Sequence, residues 1–356
     1  MKKKLLIINK AQFGYHIDTY YYCKFLSKDF DITYVCFDEK KEKITNKDIN
    51  VVYCSYDYKY FMRVFSFFKL IIKSYFNFKP NVVFIKYFLG SVFTLLFIRR
   101  SKVILDIRTG NVSGSLKKRI RKDKILKIEA SFFKNITVIS KGLKERLKLK
   151  YNTCIIPLGA IQISSREKDY KSMKLLYVGT FENRKIEVTV KAVAKFVKEI
   201  DENISYQIVG FGSDKETQLI KQTIEQNQLA DKVSLEGRIP VNQLKKYFDS
   251  NNIGIAYIPI TDYYANQPPT KIFEYAMSGL INVATKTTIN KTLINENNGV
   301  LCDDNIDALF EALKKVNNKL PSYKYNEITD SLKDYQWQNI IINQLNPLLK
   351  SIADAA

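Results

Sequence analysis

A strand-like run that ends in a glycine and continues into two cations is the first candidate for chemistry in the chain. Leu175–Val178 is apolar, Gly179 follows it, and Arg184 and Lys185 stand where the next helical pattern begins. The N-terminus of a helix offers free N–H groups and the positive end of its dipole, and basic side chains add charge-assisted hydrogen bonds. This combination is typical of a phosphate site, although a solvated turn could have the same sequence.

A second candidate is the glycine-containing turn after the predicted strand Ser205–Gly210. The segment reads SYQIVGFG and ends at Gly212. Glycines at such a turn let a ligand approach the backbone closely. The pattern is shorter than the GxGxxG fingerprint of dinucleotide sites, so a tight turn after a core strand is an equal interpretation.

The strongest block lies at residues 267–285, QPPTKIFEYAMSGLINVAT. Thr270 can cap a helix, Gly279 closes it, and an apolar strand follows. Lys271 and Glu274 are three positions apart, so a helix places both on one face near its start. Taken alone, these two residues could also be a surface ion pair.

The elements that position these residues alternate between strands and helices. Seven strand-like runs precede Gly159 and six follow Lys174, with amphipathic helical patterns between them. Such alternation predicts parallel sheets with helices on both faces, whose ligands bind at the carboxyl ends of the strands. The polar segment Gly159–Lys174 is predicted to be the linker between two domains.

The block around Glu274 resembles the nucleotide-sugar motif of the retaining glycosyltransferase family 4, which has the GT-B architecture. The residues that match the family pattern, in order, are Pro269, Lys271, Glu274, Tyr275, Ala276, Gly279 and Val283. The upstream segments YVGTFENRK, IVGFG and LEGRIPVNQLKKYFDSNNIGIAYIP agree with the same family. The resemblance covers residues 174–350 well and is looser over residues 1–160.

The resemblance implies an α/β protein of the GT-B class, with two Rossmann-like doubly wound domains facing a central cleft. The acceptor domain is expected at residues 1–165 and is joined by a C-terminal helix at 336–356. Trp337, near the start of that segment, also fits the family pattern. The donor domain is expected at residues 166–335.

The resemblance also implies a binding site for a UDP- or GDP-linked sugar. Glu274 would accept hydrogen bonds from the ribose hydroxyls, and Arg184 and Lys185 would neutralise the diphosphate, so that no metal and no further cofactor is expected. The other implied donor-site residues are Gly14, Gly179, Thr180, Gly210, Gly212, Arg238, Ile239, Asn266, Thr270 and Lys271. Asn266 and Thr180 depart from the family, which often has a glutamate and an arginine there.

Three polar residues of the first half are candidate catalytic residues. Asp106 and Arg108, in the segment LDIRTGN, end a predicted buried strand where the family often has a polar residue of the catalytic region. Because a buried charge needs a partner, the two could instead pair with each other. His16 follows the loop that contains Gly14, and a lone histidine is often structural.

The positive charge is confined to one part of the chain. The net charge is +21; residues 1–160 hold 33 Lys and Arg against 12 Asp and Glu, and residues 161–356 hold 24 of each. Such asymmetry indicates an anionic partner for the first part, although a general lysine bias is an alternative. The aromatic, basic helical pattern at Tyr58–Phe78 and the seven basic residues within 117–127 favour an anionic membrane surface.

Composition excludes several classes of function. The odd number of cysteines, with no CxxC spacing, argues against a disulfide framework or a cysteine zinc site, and the single histidine excludes a His-rich metal site. The short apolar run Leu5–Ile8 is not a signal peptide, and a reducing cytoplasm fits. No nucleic-acid-binding module is recognisable.

The sequence and the family resemblance together predict a metal-independent hexosyltransferase of the cytoplasm that works at the inner face of the cell membrane, and the resemblance implies that transfer retains the anomeric configuration. Its acceptor would be a glycan or a polyprenyl-linked molecule in cell-surface polysaccharide biosynthesis. The alternatives are a degenerate GT-B protein that binds without turnover and a basic nucleic-acid-binding protein.

Overall fold

Two parallel β-sheets organise the computed structural model, one in each of two units of the chain. Unit 1 comprises Met1–Leu158 and Trp337–Ala356, and unit 2 comprises Gly159–Gln336. The structure describes residues 2–57, 59–109, 116–150, 152–261, 264–265 and 269–355. All thirteen strands that the sequence predicts are present, and the prediction of two doubly wound domains is confirmed.

Unit 1 is built on seven strands. In chain order they are β1 Lys3–Ile8, β2 Phe30–Asp38, β3 Ile49–Ser55, β4 Val82–Lys86, β5 Val103–Ile107, β6 Asn135–Val138 and β7 Cys154–Ile155. The order across the sheet is β3-β2-β1-β4-β5-β6-β7, and every pair is parallel. Strands buried on both faces are continuous apolar runs, and β5 is buried along its whole length.

The helices of unit 1 lie between these strands and at the end of the chain. They are α1 Ile17–Leu26, α2 Tyr60–Phe78, α3 Leu116–Ser131 and α4 Lys141–Arg146, with 3₁₀ turns at Ser91–Leu96 and Arg100–Lys102. The chain re-enters the unit through helix Trp337–Ile340, a π-helical turn at Ile341–Leu345 and a last helix at Asn346–Asp354. Trp337 packs on Tyr21 and Tyr22 of α1.

Unit 2 repeats the same topology with six strands. They are β8 Met173–Thr180, β9 Ile204–Phe211, β10 Val233–Gly237, β11 Ile253–Ala256, β12 Ile281–Thr285 and β13 Gly299–Cys302. The order is β10-β9-β8-β11-β12-β13, again parallel throughout. In both sheets the strand order therefore reverses beside the first strand, at β1/β4 and at β8/β11.

The helices of unit 2 connect these strands and then complete the unit. They are α5 Ile186–Glu199, α6 Asp214–Gln226, α7 Lys245–Ser250, α8 Thr270–Met277, α9 Asn290–Leu293, α10 Ile306–Lys319 and α11 Tyr325–Ser331. Further 3₁₀ turns lie at Val241–Gln243, Leu320–Ser322 and Lys333–Tyr335.

The segment predicted to be a linker, Gly159–Lys174, is part of unit 2, and that prediction is wrong. The N–H groups of Ile163 and Ser164 donate to the Ser278 hydroxyl, and Tyr170 donates to the carbonyl of Gly279 at 2.7 Å. These hydrogen bonds attach the segment to the end of helix α8. The chain passes between units at Leu158–Gly159 and Gln336–Trp337, where the sequence places the divisions at 165–166 and 335–336.

Within the described part of the chain, no helix is long and apolar enough to cross a membrane.

Candidate functional site

A cavity of about 260 Å³ opens at the carboxyl ends of β8 and β11 in unit 2; we call it the β8–β11 cavity. The edge where strand order reverses is where ligands of such sheets bind. Its lining residues are Tyr177, Val178, Gly179, Thr180, Arg184, Ile255, Ala256, Tyr257, Ile258, Pro269, Thr270 and Lys271. Five predicted donor-site residues, Gly179, Thr180, Arg184, Thr270 and Lys271, therefore share one cavity.

Two tyrosines shape this cavity. The hydroxyl of Tyr275, inside α8, accepts the N–H of Val178 at 2.9 Å and so fixes α8 against the end of β8. The hydroxyl of Tyr177 donates to the carbonyl of Thr180 at 2.6 Å, which closes the turn after the strand. Burial raises the pKa of both phenols, so both hydroxyls remain protonated. Tyr177 and Tyr257 are lining residues that the sequence analysis missed, because apolar strand ends do not show which ring faces a ligand.

The electrostatics of the cavity favour an anion. The Nη1 atom of Arg184 is buried and makes no hydrogen bond within the described structure, while the guanidinium lies 4.4 Å from the ring centroid of Tyr264. Lys271 and the first turn of α8 lie at the same cavity, and a helix N-terminus attracts negative charge. A buried N–H without an acceptor is costly, so an oxyanion at this position would satisfy it.

Glu274 lies one turn further along α8 and is not among the residues that line the cavity. It forms a half-buried ion pair with Lys271, as one interpretation of the sequence expected. The ribose role of Glu274 stays a prediction. Asn266 lies outside the described residues.

The other predicted donor residues of unit 2 lie around the cavity rather than in its lining. Lys185 is exposed and precedes α5, Arg238 stacks 4.7 Å from the Phe211 ring, and Ile239 packs on the core. A Cβ on Gly210 would meet the carbonyl oxygen of Gly179 at 2.0 Å. The structure thus explains Gly210 by strand packing, and Gly212, beside Phe181, in the same way.

In unit 1, Arg108 is held by a buried network. Its Nε donates to the Asp18 carboxylate at 2.6 Å, and its Nη atoms donate to the carbonyls of Ile156 and Pro157. The expectation that Arg108 pairs with Asp106 is therefore only partly correct. Asp106 Oδ2 lies 3.9 Å from the Arg108 Nε, and its Oδ1 accepts a hydrogen bond from Thr137.

His16 caps helix α1. Its Nδ1 accepts the N–H of Thr19, and burial, with the nearby Lys86 charge, lowers the pKa of its imidazole to about 4. The ring is therefore neutral at neutral pH and does not act there as a charged acid. Gly14 has φ of +90°, a conformation that favours glycine. A catalytic role for His16, Asp106 or Arg108 stays a prediction, as does the donor contact of Gly14.

A second cavity, of about 430 Å³, opens beyond the ends of β4 and β5 in unit 1; we call it the β4–β5 cavity. It is lined by Lys10, Lys86, Tyr87, Phe88, Leu89, Asp106, Arg108, Thr109, Lys122, Ile125 and Leu126. Lys86 has no recognisable signal in the sequence, because a lysine at the end of a strand is ordinary in a lysine-rich chain. No group of three His, Cys, Asp or Glu residues suited to a metal occurs among the described residues.

Comparison with known proteins bears on both units. Residues 172–318 match the family model described as glycosyl transferases group 1. A search of curated protein sequences gave no match. Over the whole chain, the structure is similar to sucrose-phosphate synthase from Thermosynechococcus elongatus, with a TM-score of 0.77, 16% identity and 100% of both chains covered. The chain has the GT-B fold.

Two further GT-B structures give the same result. A glycosyltransferase from Rickettsia africae has a TM-score of 0.75 at 15% identity, again with 100% of both chains covered. HepE from Anabaena, in complex with UDP, has a TM-score of 0.74 at 12% identity, with 99% of this chain and 100% of HepE covered. At these identities the likeness establishes the GT-B fold, and the family match lies in the unit that contains the β8–β11 cavity.

Proposed function

We propose that the protein is a glycosyltransferase that takes its sugar from a nucleotide-sugar donor bound at the β8–β11 cavity. The observation that carries this proposal is the buried, unpartnered Nη1 of Arg184 beside Lys271 at the start of α8. A donor diphosphate supplies an acceptor oxygen for the Arg184 Nη1 atom. The group 1 family match over residues 172–318 and the GT-B fold support the same activity.

The chemistry assigned to these residues is stabilisation of the leaving group. Transfer breaks the bond between the sugar's anomeric carbon and the diphosphate oxygen, and a bond to an acceptor hydroxyl oxygen forms while its proton is released. Negative charge develops on the diphosphate as the bond breaks. Arg184, Lys271 and the helix N-terminus oppose that charge from fixed positions, which is how such groups accelerate a reaction.

We further propose that the donor is UDP- or GDP-linked, that the sugar is a hexose and that transfer retains the anomeric configuration without a metal. The resemblance to family 4 around Glu274 supports retention, and the cations at the cavity support metal independence. HepE was solved with UDP and with UDP-glucose. For the acceptor we propose a glycan or a lipid-linked molecule of cell-surface polysaccharide, reached from the cytoplasmic face of an anionic membrane.

A thermal-shift screen against UDP-, GDP-, ADP- and CMP-sugars tests donor binding. A ligand at 100 times its dissociation constant adds about 2.7 kcal/mol to the free energy of unfolding, so we expect one nucleotide class to raise the melting temperature clearly. Arg184→Gln should weaken binding of that donor by about 1.5–3 kcal/mol, as expected for a charged hydrogen bond. Lys191→Gln, at an exposed lysine of α5 that does not line the cavity, also removes one positive charge and should change donor binding little.

Equal effects of the two substitutions, or no stabilisation by any nucleotide sugar, would overturn the assignment. Activity that EDTA abolishes and magnesium restores would overturn metal independence only. Donor binding with no turnover on any glycan or lipid acceptor would instead favour the degenerate GT-B binding protein.

A further inference from the structure

The β4–β5 cavity of unit 1 carries a local excess of positive charge. Lys10, Lys86 and Lys122 line it, and none of the three has an ion-pair or hydrogen-bond partner in the part of the chain that the structure describes. Arg108 also lines it, but its charge is offset by Asp18. The only carboxylate among the lining residues is Asp106. With three lysines and one carboxylate, besides the Arg108–Asp18 pair, the cavity has a net positive charge, which attracts an anion.

Lys86 and Asp106 show that this cavity is built for polar contacts. Lys86 is half-buried at the end of β4, and burial lowers the pKa of its ammonium group. Asp106 is fully buried, yet its Oδ2 accepts no hydrogen bond. Buried polar atoms in folded proteins are nearly always paired. A ligand with an anionic group would bind the Lys86 ammonium group, and a hydroxyl on the same ligand would donate a hydrogen bond to Asp106 Oδ2.

Part of the cavity wall is apolar. Phe88, Leu89, Ile125 and Leu126 form it. The position of Leu89 is fixed by Glu129, whose carboxylate accepts the N–H of Gly90 at 2.9 Å and lies near the Ser91 hydroxyl. Beyond Leu89 the 3₁₀ turn Ser91–Leu96 exposes Phe93 and Leu96, so apolar surface continues from the cavity to solvent.

From these contacts we propose that the β4–β5 cavity is the acceptor site and that the acceptor is a phosphate-bearing lipid. Its phosphate contacts Lys86, Lys10 and Lys122, its chain lies along Phe88 and Leu89, and a hydroxyl reaches Asp106. This inference rests on the proposed glycosyltransferase function and names its acceptor class. A free sugar phosphate would use the lysines but would leave the apolar wall unused.

Farnesyl phosphate, inorganic phosphate and farnesol separate the contributions of charge and chain. Calorimetry with the full-length protein and no donor measures each below the concentration at which farnesyl phosphate forms micelles. We expect farnesyl phosphate to bind at least tenfold more tightly than either of the others. Equal affinity for inorganic phosphate and farnesyl phosphate would overturn the lipid assignment and mark a site for free anions. Equal affinity for farnesol would overturn the phosphate role.

Matched variants locate the binding. Lys86→Gln and Lys122→Gln should each weaken farnesyl phosphate about tenfold, and Leu89→Ser should weaken it without changing inorganic phosphate. Lys118→Gln, on the same helix as Lys122 but outside the cavity, is the control for charge. If Lys118→Gln and Lys122→Gln lose the same affinity for farnesyl phosphate, the ligand binds outside the cavity and the proposal is overturned.

Nucleotide-sugar binding measured in parallel keeps the two proposals distinguishable. If a donor binds the wild type and farnesyl phosphate does not, the acceptor assignment fails and the donor assignment stands. If farnesyl phosphate binds as expected and no nucleotide sugar does, the lipid-phosphate site stands and the glycosyltransferase function fails. The melting temperature of Lys86→Gln, compared with the wild type, separates lost binding from lost folding.

Discussion

The Arg108 guanidinium and the Asp18 carboxylate form a buried ion pair with 2.6 Å between Nε and Oδ2, across 90 positions of sequence. Their side chains are 4% and 6% exposed. Asp18 lies in the first turn of α1, and Arg108 follows β5. The pair therefore ties a helix to the end of a strand in unit 1, close to the β4–β5 cavity that Arg108 also lines.

Arg108→Ala should lower the free energy of unfolding of unit 1 by about 3–5 kcal/mol, because it leaves the buried Asp18 carboxylate unpaired. Urea unfolding followed by the fluorescence of Trp337 measures this, since Trp337 is the only tryptophan and lies in unit 1. Arg99→Ala, at an exposed site, is the control and should change stability by less than about 0.5 kcal/mol. A stable Arg108→Ala protein that binds donor but has no turnover would show that Arg108 is catalytic instead.

The pH dependence of stability should report on Asp106. Burial raises the pKa of its carboxyl to about 6, above about 3.9 in an unfolded chain. Between these values the folded state binds more protons than the unfolded state, so stability falls as pH rises from about 4 to about 6. The size of this contribution is up to about 3 kcal/mol.

Asp106→Asn, which cannot titrate, isolates the effect. The variant should match the wild type near pH 4 and become progressively more stable than it up to pH 6, with a constant difference above that. Chemical unfolding at half-unit pH steps gives the comparison. A pH-independent difference between the two proteins would show that the carboxyl titrates at its ordinary pKa.

How far the sequence predicts this molecule depends on whether the evidence is local. Strand and helix patterns are local, and all thirteen strands follow from them. Partners distant in sequence are not local. The sequence suggests that Asp106 pairs with Arg108, two residues away, whereas Asp18 is the closer partner. The polar segment before Lys174 looks like a linker because its hydrogen bonds to Ser278 and Gly279 are invisible in sequence.

The same distinction decides which residues of the candidate sites can be predicted from the sequence. Arg184, Thr270 and Lys271 are found from the sequence because each begins or precedes a helix after a strand, and parallel topology brings such ends together. Lys86 cannot be found in this way, because its importance comes from its partial burial at the β4–β5 cavity, which the sequence does not show. The spacing of Lys271 and Glu274 predicts that both lie on one face of a helix, and in the structure they form an ion pair.

Glu274→Ala should weaken binding of the cognate nucleotide by about 1–3 kcal/mol, because the ribose hydroxyls lose their acceptor. The same variant frees Lys271 from its ion pair, which could strengthen phosphate binding and mask the loss. Calorimetry with the 2′,3′-dideoxynucleotide resolves the two effects, since that ligand has no ribose hydroxyls to lose. An identical change in affinity for both nucleotides would remove the ribose role of Glu274.

Helix α2 has apolar residues on its exposed side as well as on the side that packs against the sheet. Its buried face consists of Phe67, Ile71 and Ser74, whereas Phe61 is 85% exposed and Phe65 is 73% exposed. The same helix meets the 3₁₀ turn through Phe68 and Phe93, whose ring centroids are 6.4 Å apart. The helix therefore packs on the sheet and still exposes aromatic residues to solvent.

If this apolar surface and the excess charge of unit 1 meet a membrane, the protein should sediment with anionic vesicles and not with zwitterionic ones. Binding should fall as salt rises, because the Debye length shrinks from about 10 Å at 0.1 M to about 3 Å at 1 M. Phe61→Ser with Phe65→Ser should weaken binding, because each removes buried apolar area. Val241→Ser, at an exposed apolar residue of unit 2, is the control and should leave it unchanged.

Charge reversal on α3 tests the electrostatic part of the same prediction. Reversing Lys117, Lys118, Arg119, Arg121 and Lys122 should release the protein from anionic vesicles, because each basic residue near the surface contributes about 1 kcal/mol. Donor binding in unit 2 should survive, which shows that the variant is folded. A wild type that does not bind anionic vesicles at low salt would contradict the membrane role, and the charge of unit 1 would then need another explanation, such as a polyanionic acceptor glycan.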